Sequence, residues 1–277
     1  MQNLTLGYSP CPNDTFIFYP LIHGLVGSSG FRFSERLEDV ETLNRLALEK
    51  KLDISKVSFH LLGFIRDDYA LLRSGGALGR GCGPLVVSRR FTDMGELRGK
   101  RIAVPGRYTT AYLLLRLFDP SLDDIVFVPF HEIMGAVASG MADAGVIIHE
   151  SRFTYPDYGL KMLLDLGEWW ERDTGQPIPL GGIVAKRSLG EEKVRAFDRL
   201  LRASVEYSLA HPNESNRYIR AHSQEMSDEV CAAHIRLYVN DFSIDLGKEG
   251  EAAVKILFSM AEAAGLVPPS RQVIFLS

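Results

Sequence analysis

The stretch Tyr8-Ser9-Pro10-Cys11-Pro12-Asn13-Asp14-Thr15-Phe16 constrains its surroundings to a strand that must stop and a helix that must start. Leu4 to Tyr8 alternates apolar and polar as a strand does. Two prolines then end it, because a proline nitrogen gives no donor to a sheet and pushes the preceding residue to extended geometry. Asn13, Asp14 and Thr15 are N-cap residue types, and the apolar run from Phe16 to Leu21 follows them. A helix is expected there, with its free N–H groups turned back toward the loop, an arrangement that favours anions. A capped helix end would account for the spacing. The density of Ser9, Asn13, Asp14 and Thr15 on a proline-stiffened connection suits a ligand-binding loop equally well.

The same cycle recurs. Phe31 to Leu37 reads as a strand, and Asp39 can cap a helix whose Leu43, Leu46, Ala47 and Leu48 share a face. Asp53 to Phe59 is a short strand with a cationic carboxyl end, where Lys56 is either a solvated edge lysine or an anion contact. A helix is expected from Leu61 to Leu72. The glycine-rich run Ser74 to Pro84 follows, and it lacks the strand-to-helix context of a nucleotide fingerprint. After the strand Leu85 to Ser88, a second block begins at Lys100. Val104 is followed by a Pro-Gly turn and by Thr109 and Thr110 at a helix amino end, where one threonine serves as a cap and the second is open to a ligand. Ala144 to Ile148 is an apolar strand closed by His149. A boundary histidine is the plain reading. Because ligands of open α/β sheets sit at strand carboxyl ends, His149 is the first candidate for a general base. Trp169 and Trp170 read as exposed packing or an aromatic pocket wall, and Gln176 to Gly182 as a linker. From Glu191 the pattern is helical, with His211, His222 and His234 read as surface or boundary residues.

The 277 residues suggest two domains, and a net charge of -4 with no basic block argues against a nucleic-acid surface. Cys11, Cys82 and Cys231 are far apart, which suits a reducing compartment and leaves no metal motif. No metal site is expected. No run approaches the length of a membrane span, and no leader pattern is visible at the start, so a cytoplasmic protein is expected.

Four runs carry a closer likeness: Ser9 to Phe16, Glu38 to Asn44, Arg73 to Gly81, and Ile147-Ile148-His149-Glu150-Ser151-Arg152-Phe153-Thr154-Tyr155. They resemble the 1,4-dihydroxy-6-naphthoate synthase family of the futalosine route to menaquinone. Its fold would be α/β, the two-lobed periplasmic-binding-protein type II-like fold with a ligand cleft between the lobes. The lobes would comprise residues 1–91 with 180–277, and 92–179. The resemblance implies conversion of cyclic dehypoxanthinyl futalosine to 1,4-dihydroxy-6-naphthoate with loss of a three-carbon fragment, without a cofactor. It implies His149 as base and Lys56, Val57, Ser58, Thr109 and Thr110 as contacts to a small anionic substrate. Ser9, Asn13, Asp14 and Arg152 are expected to line the cleft, and the oligomeric state stays open. The rival readings are a solute-binding protein without catalysis and a chorismate dehydratase of the same pathway.

Overall fold

The computed structural model describes residues 1–223 and 227–276. Its strands form two sheets. The first has the order β2-β1-β3-β11-β4, with β5 also paired to β11; it comprises β1 (Gln2–Tyr8), β2 (Phe31–Leu37), β3 (Ile54–Ser58), β4 (Tyr69–Leu71), β5 (Ala77–Gly79) and β11 (Ile178–Lys186). The second runs β10-β6-β9-β7-β8 and holds β6 (Leu85–Ser88), β7 (Ile102–Val104), β8 (Ile125–Phe127), β9 (Ala144–Ile147) and β10 (Lys161–Asp165). β1 and β3 are parallel, as are β7 and β9, so within each sheet two carboxyl ends point the same way. Those four ends build the site.

β6 pairs with β9 and β10 and lies in the second sheet, although the boundary at residue 91 assigns it to the first lobe. By sheet membership the chain leaves the first sheet after Gly79 and enters the second at Leu85. It returns at Ile178, where the expected linker is already strand: Ile178 to Gly181 pairs with β5. Strand geometry is open to Pro179 at the end of such a ladder. The helix expected from Leu61 to Leu72 is shorter, spanning Phe59–Ile65 (α3 below), because Tyr69 to Leu71 pairs with β11 instead. Trp169 and Trp170 are buried on a helix of the second lobe, and the Trp170 indole donates to the Pro177 carbonyl at 3.1 Å. They are core residues.

In chain order the helices are α1 (Pro12–Ile22), α2 (Val40–Leu48), α3 (Phe59–Ile65), α4 (Thr110–Phe118), α5 (Ile133–Ser139), α6 (Ser151–Thr154), α7 (Leu166–Thr174), α8 (Glu191–Ala210), α9 (Asn216–His222), α10 (Asp228–Tyr238), α11 (Asp241–Ile244) and α12 (Gly247–Ala263). Among the described residues no helix is long and apolar enough to cross a membrane. One apolar core packs α1 and α8 on the first sheet, through Phe18, Phe197 and Leu201. A second core runs under both sheets, joining Val57 and Phe59 to Val104, Leu113 and Leu114. The lobes therefore share a floor, and α4 lies on it.

α1 starts at Pro12 with Cys11 as its N-cap, and no side chain caps it. Asn13, Asp14 and Thr15 occupy its first turn instead, since proline is suited to the first helical position. Their side chains are thereby released from capping. Pro20 inside α1 has no N–H for the Phe16 carbonyl, and Ser208 of α8 donates to that carbonyl at 2.7 Å. Ser204 bridges the next gap, accepting from Leu21 N at 3.0 Å and donating to the Ile17 carbonyl at 2.6 Å. Ser208→Ala leaves a buried carbonyl without a partner, and a loss of about 1–3 kcal/mol is expected in urea unfolding. An unchanged midpoint would show that the Phe16 carbonyl needs no outside donor.

Candidate active site

The carboxyl ends of β1 and β3 are joined by a buried ion pair. Lys56 Nζ lies 2.8 Å from Asp14 Oδ1, with side-chain exposures of 7% and 1%. The Lys56 stem passes Gly181, where an added Cβ would lie 3.1 Å from Lys56 Cε. Ser9 donates from its backbone N–H at 3.1 Å and its hydroxyl at 2.7 Å to the other oxygen of Asp14. Asn13 Nδ2 donates to Asp14 Oδ1 at 2.9 Å, which leaves Asn13 Oδ1 as an acceptor. His234 Nε2 lies 2.9 Å from that oxygen, so this nitrogen carries the proton. His234 Nδ1 is then a bare lone pair, buried without a hydrogen-bond partner among the described residues.

His149 follows β9 with φ of 57°, a left-handed conformation uncommon for a side chain with a Cβ. Such outliers concentrate where a side chain must be aimed. Its ring stands edge-on to Phe130 at 5.2 Å and parallel to His234, with centroids 6.0 Å apart and planes at 9°. Desolvation by these neighbours pulls its pKa below the ordinary imidazole value, with Lys56 adding to the shift and the Glu150, Asp14 and Asp39 carboxylates opposing it. Cys11 Sγ lies 3.8 Å from His149 Nδ1. Burial, and then the Glu150 carboxylate, push the thiol pKa up, so Cys11 stays protonated beside the histidine. That pair lacks the thiolate a cysteine nucleophile requires.

Two chambers meet at His149 and Val40. The inner one, about 80 Å³, is bounded by Ser9, Asn13, Lys56, Ser58, Thr109 and Thr110 among others. The outer one, about 700 Å³, is bounded by the 38–41 and 127–131 segments, Arg107 and Glu150. Thr109 caps α4, accepting from Tyr112 N at 3.3 Å. Thr110 Oγ1 accepts from Phe59 N at 2.9 Å and donates to the Leu180 carbonyl at 2.6 Å. Among the described residues, no group of three or more His, Cys, Asp or Glu side chains is arranged to hold a metal ion.

Two expected contacts lie elsewhere. The Val57 side chain belongs to the core, because alternation along β3 turns it away from the face of Lys56 and Ser58. Arg152 donates to the Gly83 carbonyl at 2.5 Å and pairs with Asp165 at 2.6 Å. It pins the interlobe crossing to α7, whose N-cap is Asp165, and lines neither chamber.

Residues 4–263 match the family model described as menaquinone biosynthesis. The chain belongs to that family. It is 55% identical over 276 residues to the 1,4-dihydroxy-6-naphthoate synthase of Thermus thermophilus, covering 100% of both chains. The enzyme of the same name from Streptomyces coelicolor is 48% identical over 272 residues, with 96% of this chain and 95% of that one covered. A solved structure from Archaeoglobus fulgidus has 38% identity and a TM-score of 0.90 over 96% of this chain and 98% of that chain. The alkanesulfonate-binding protein of Xanthomonas axonopodis pv. citri, bound to MOPS, has a TM-score of 0.71 at 15% identity, covering 99% and 96% of the two chains. This last likeness speaks to the fold alone. The architecture is the two-lobed periplasmic-binding-protein-like fold.

The sequence reading missed Cys11, Glu150 and His234 as site residues. For His234 a signal exists: Cys231, His234 and Tyr238, the buried positions of α10, fall at helical spacing on one face. Burial pulls the His234 pKa well below the ordinary value of 6.5, and the Lys56 cation, and any proton on His149, lower it further. His60, buried against the Leu266 carbonyl, is pulled down to about 4. Above pH 6.5 these rings are neutral in folded and unfolded chains alike. Below it the unfolded chain binds protons that the fold refuses, so stability is lost as pH falls from 6.5, by up to about 1.4 kcal/mol per unit per histidine. Urea unfolding between pH 7 and 5 is expected to show this slope, reduced by one histidine's share in His234→Gln. An unaltered slope in that variant would contradict the assignment.

Proposed function

We propose that this protein cleaves cyclic dehypoxanthinyl futalosine to 1,4-dihydroxy-6-naphthoate and a three-carbon fragment, with His149 as general base and no cofactor. The observation that carries the reading is the placement of His149. A ring kept neutral by desolvation stands at the neck between a chamber the size of a bicyclic ligand and one that admits a few atoms. A volume of about 700 Å³ falls within the usual range of ligand pockets, roughly 300–1,000 Å³, whereas about 80 Å³ falls below it. The bicyclic acid fits the outer chamber. The hydroxylated three-carbon end fits the inner one, among Ser9, Asn13 and Ser58, and the bond to be broken then lies beside His149.

Neutral imidazole removes a proton from a hydroxyl, or from carbon next to a carbonyl. When the proton comes from a hydroxyl of the three-carbon end, the O–H electrons become that fragment's carbonyl, the electrons of the breaking carbon–carbon bond move into the ring that becomes aromatic, and the imidazolium returns its proton to the ring-derived enolate oxygen. General-base catalysis of this kind contributes about 10²–10⁴-fold. Neither ion of the Lys56–Asp14 pair is free to serve as the base, because each already neutralises the other.

Purified protein is expected to form 1,4-dihydroxy-6-naphthoate from that substrate, detected by mass. His149→Ala is expected to lose about 10²–10⁴-fold in kcat with substrate binding kept. The acid limb of the wild-type pH profile is expected below pH 6.5, following the lowered His149 pKa. Equal turnover by both proteins would remove His149 from the mechanism. Binding of small carboxylates without turnover would favour a solute-binding protein, and consumption of chorismate the dehydratase.

A further inference from the structure

Glu41 lies in the first turn of α2, on the first lobe, and reaches across the cleft to the loop that precedes α4. A Cβ added at Gly106 would lie 2.5 Å from both Cδ and Oε2 of Glu41, so the carboxylate rests directly on the glycine backbone. The backbone of Arg107 and Tyr108 lies close to the same carboxylate. Behind it stands Asn44, fully buried, whose Nδ2 donates to Glu41 Oε2 at 3.3 Å and to Ser58 Oγ at 3.1 Å. Asn44 Oδ1 accepts from Ser58 N at 2.9 Å. The result is one continuous polar chain, from the 106–108 loop of the second lobe through Glu41 and Asn44 to the carboxyl end of β3. One residue further on, Phe59 N donates to Thr110 Oγ1 at 2.9 Å.

We propose that Glu41 is a positioning residue that, with Asn44, clasps the amino end of α4 onto the carboxyl end of β3 and so fixes the width of the inner chamber. Both sides of the clasp border the chambers: Glu41 and Gly106 the outer, Ser58, Thr109 and Thr110 the inner. Glycine at 106 is required by the closeness of the approach, since any side chain there would displace the carboxylate. The clasp rests on the contacts alone, while its part in holding the three-carbon end of the substrate rests on the reading of function above.

The test uses Glu41→Ala, Glu41→Gln and Gly106→Ala in the full chain. Gly106→Ala dislodges the Glu41 carboxylate without altering it. Amide hydrogen exchange needs no substrate, and about tenfold faster exchange is expected at Arg107 and Tyr108 in Glu41→Ala and Gly106→Ala. In turnover, KM for cyclic dehypoxanthinyl futalosine is expected to rise about tenfold in both, with kcat within about threefold, because His149 is held by β9 and not by the clasp. Glu41→Gln keeps an acceptor and is expected to restore most of both readouts. The double variant is expected to be no worse than Glu41→Ala, since both changes break one contact. Unchanged exchange and KM in Glu41→Ala would overturn the proposal. So would a loss confined to Gly106→Ala, or a fall in Tm that accounts for the lost activity. A wild type without turnover, whose variants still lose protection, would overturn the function reading and leave the clasp standing.

Discussion

The ion pair between Lys56 and Asp14 is the contact on which the rest of the site depends. Burying either charge alone would cost several kcal/mol, so each is tolerable only because the other is within hydrogen-bond distance and the remaining oxygens of Asp14 are filled. Ser9, Asn13 and Lys56 fill them from three segments. The loop after β1, the first turn of α1 and the end of β3 are therefore fixed relative to one another by electrostatics. That in turn sets the orientation of Asn13, and Asn13 sets the tautomer of His234. A two-proline loop and a lysine in a strand thus determine the state of a histidine near the other end of the chain.

The clefts of folds built from strand ends usually bring polar groups and helix amino ends together from both lobes. Here the lobes also share an apolar floor through α4, which packs against β9 and α7 on one side and α3, β11 and α12 on the other. Relative motion of the lobes must work against that common core. The fine positioning of the amino end of α4 is then left to polar contacts at the cleft surface, those of Glu41 and Thr110. A shared floor with a polar clasp above it gives a cleft of defined width without a large interface between lobes.

Most of the elements were legible because each is announced locally. Asp39 and Thr109 cap the helices they precede, Gly140 ends α5 in a left-handed conformation, and β2 has the bounds its alternation predicts. The elements that were misread depend on partners distant in sequence. Tyr69 to Leu71 is strand only because β11 returns beside it, and Ile178 to Gly182 looks like a linker until β5 and β3 pair with it. The placement of β6 in the second sheet has the same origin. Among site residues, His149, Lys56, Ser9 and Asn13 were visible as polar groups at the ends of apolar runs. His234 was hidden by an amphipathic helix with charged residues around it. Arg152 stands next to the site in sequence, yet its guanidinium is taken up by the Asp165 carboxylate and the Gly83 carbonyl.

The electrostatics of the cleft centre favour one kind of chemistry over others. Its fixed charges, Lys56 and Asp14, cancel. Its thiol is held protonated by burial, burial lowers the pKa of both histidines, and a proton on His149 would lower that of His234 further. Among the described residues, a site so arranged offers no strong nucleophile and no free cation at its centre. What it does offer is a weak base whose conjugate acid is poorly tolerated, and which therefore returns a proton readily once it has taken one. On the function proposed above, such a group can take and return the proton of a cleavage that forms an aromatic ring.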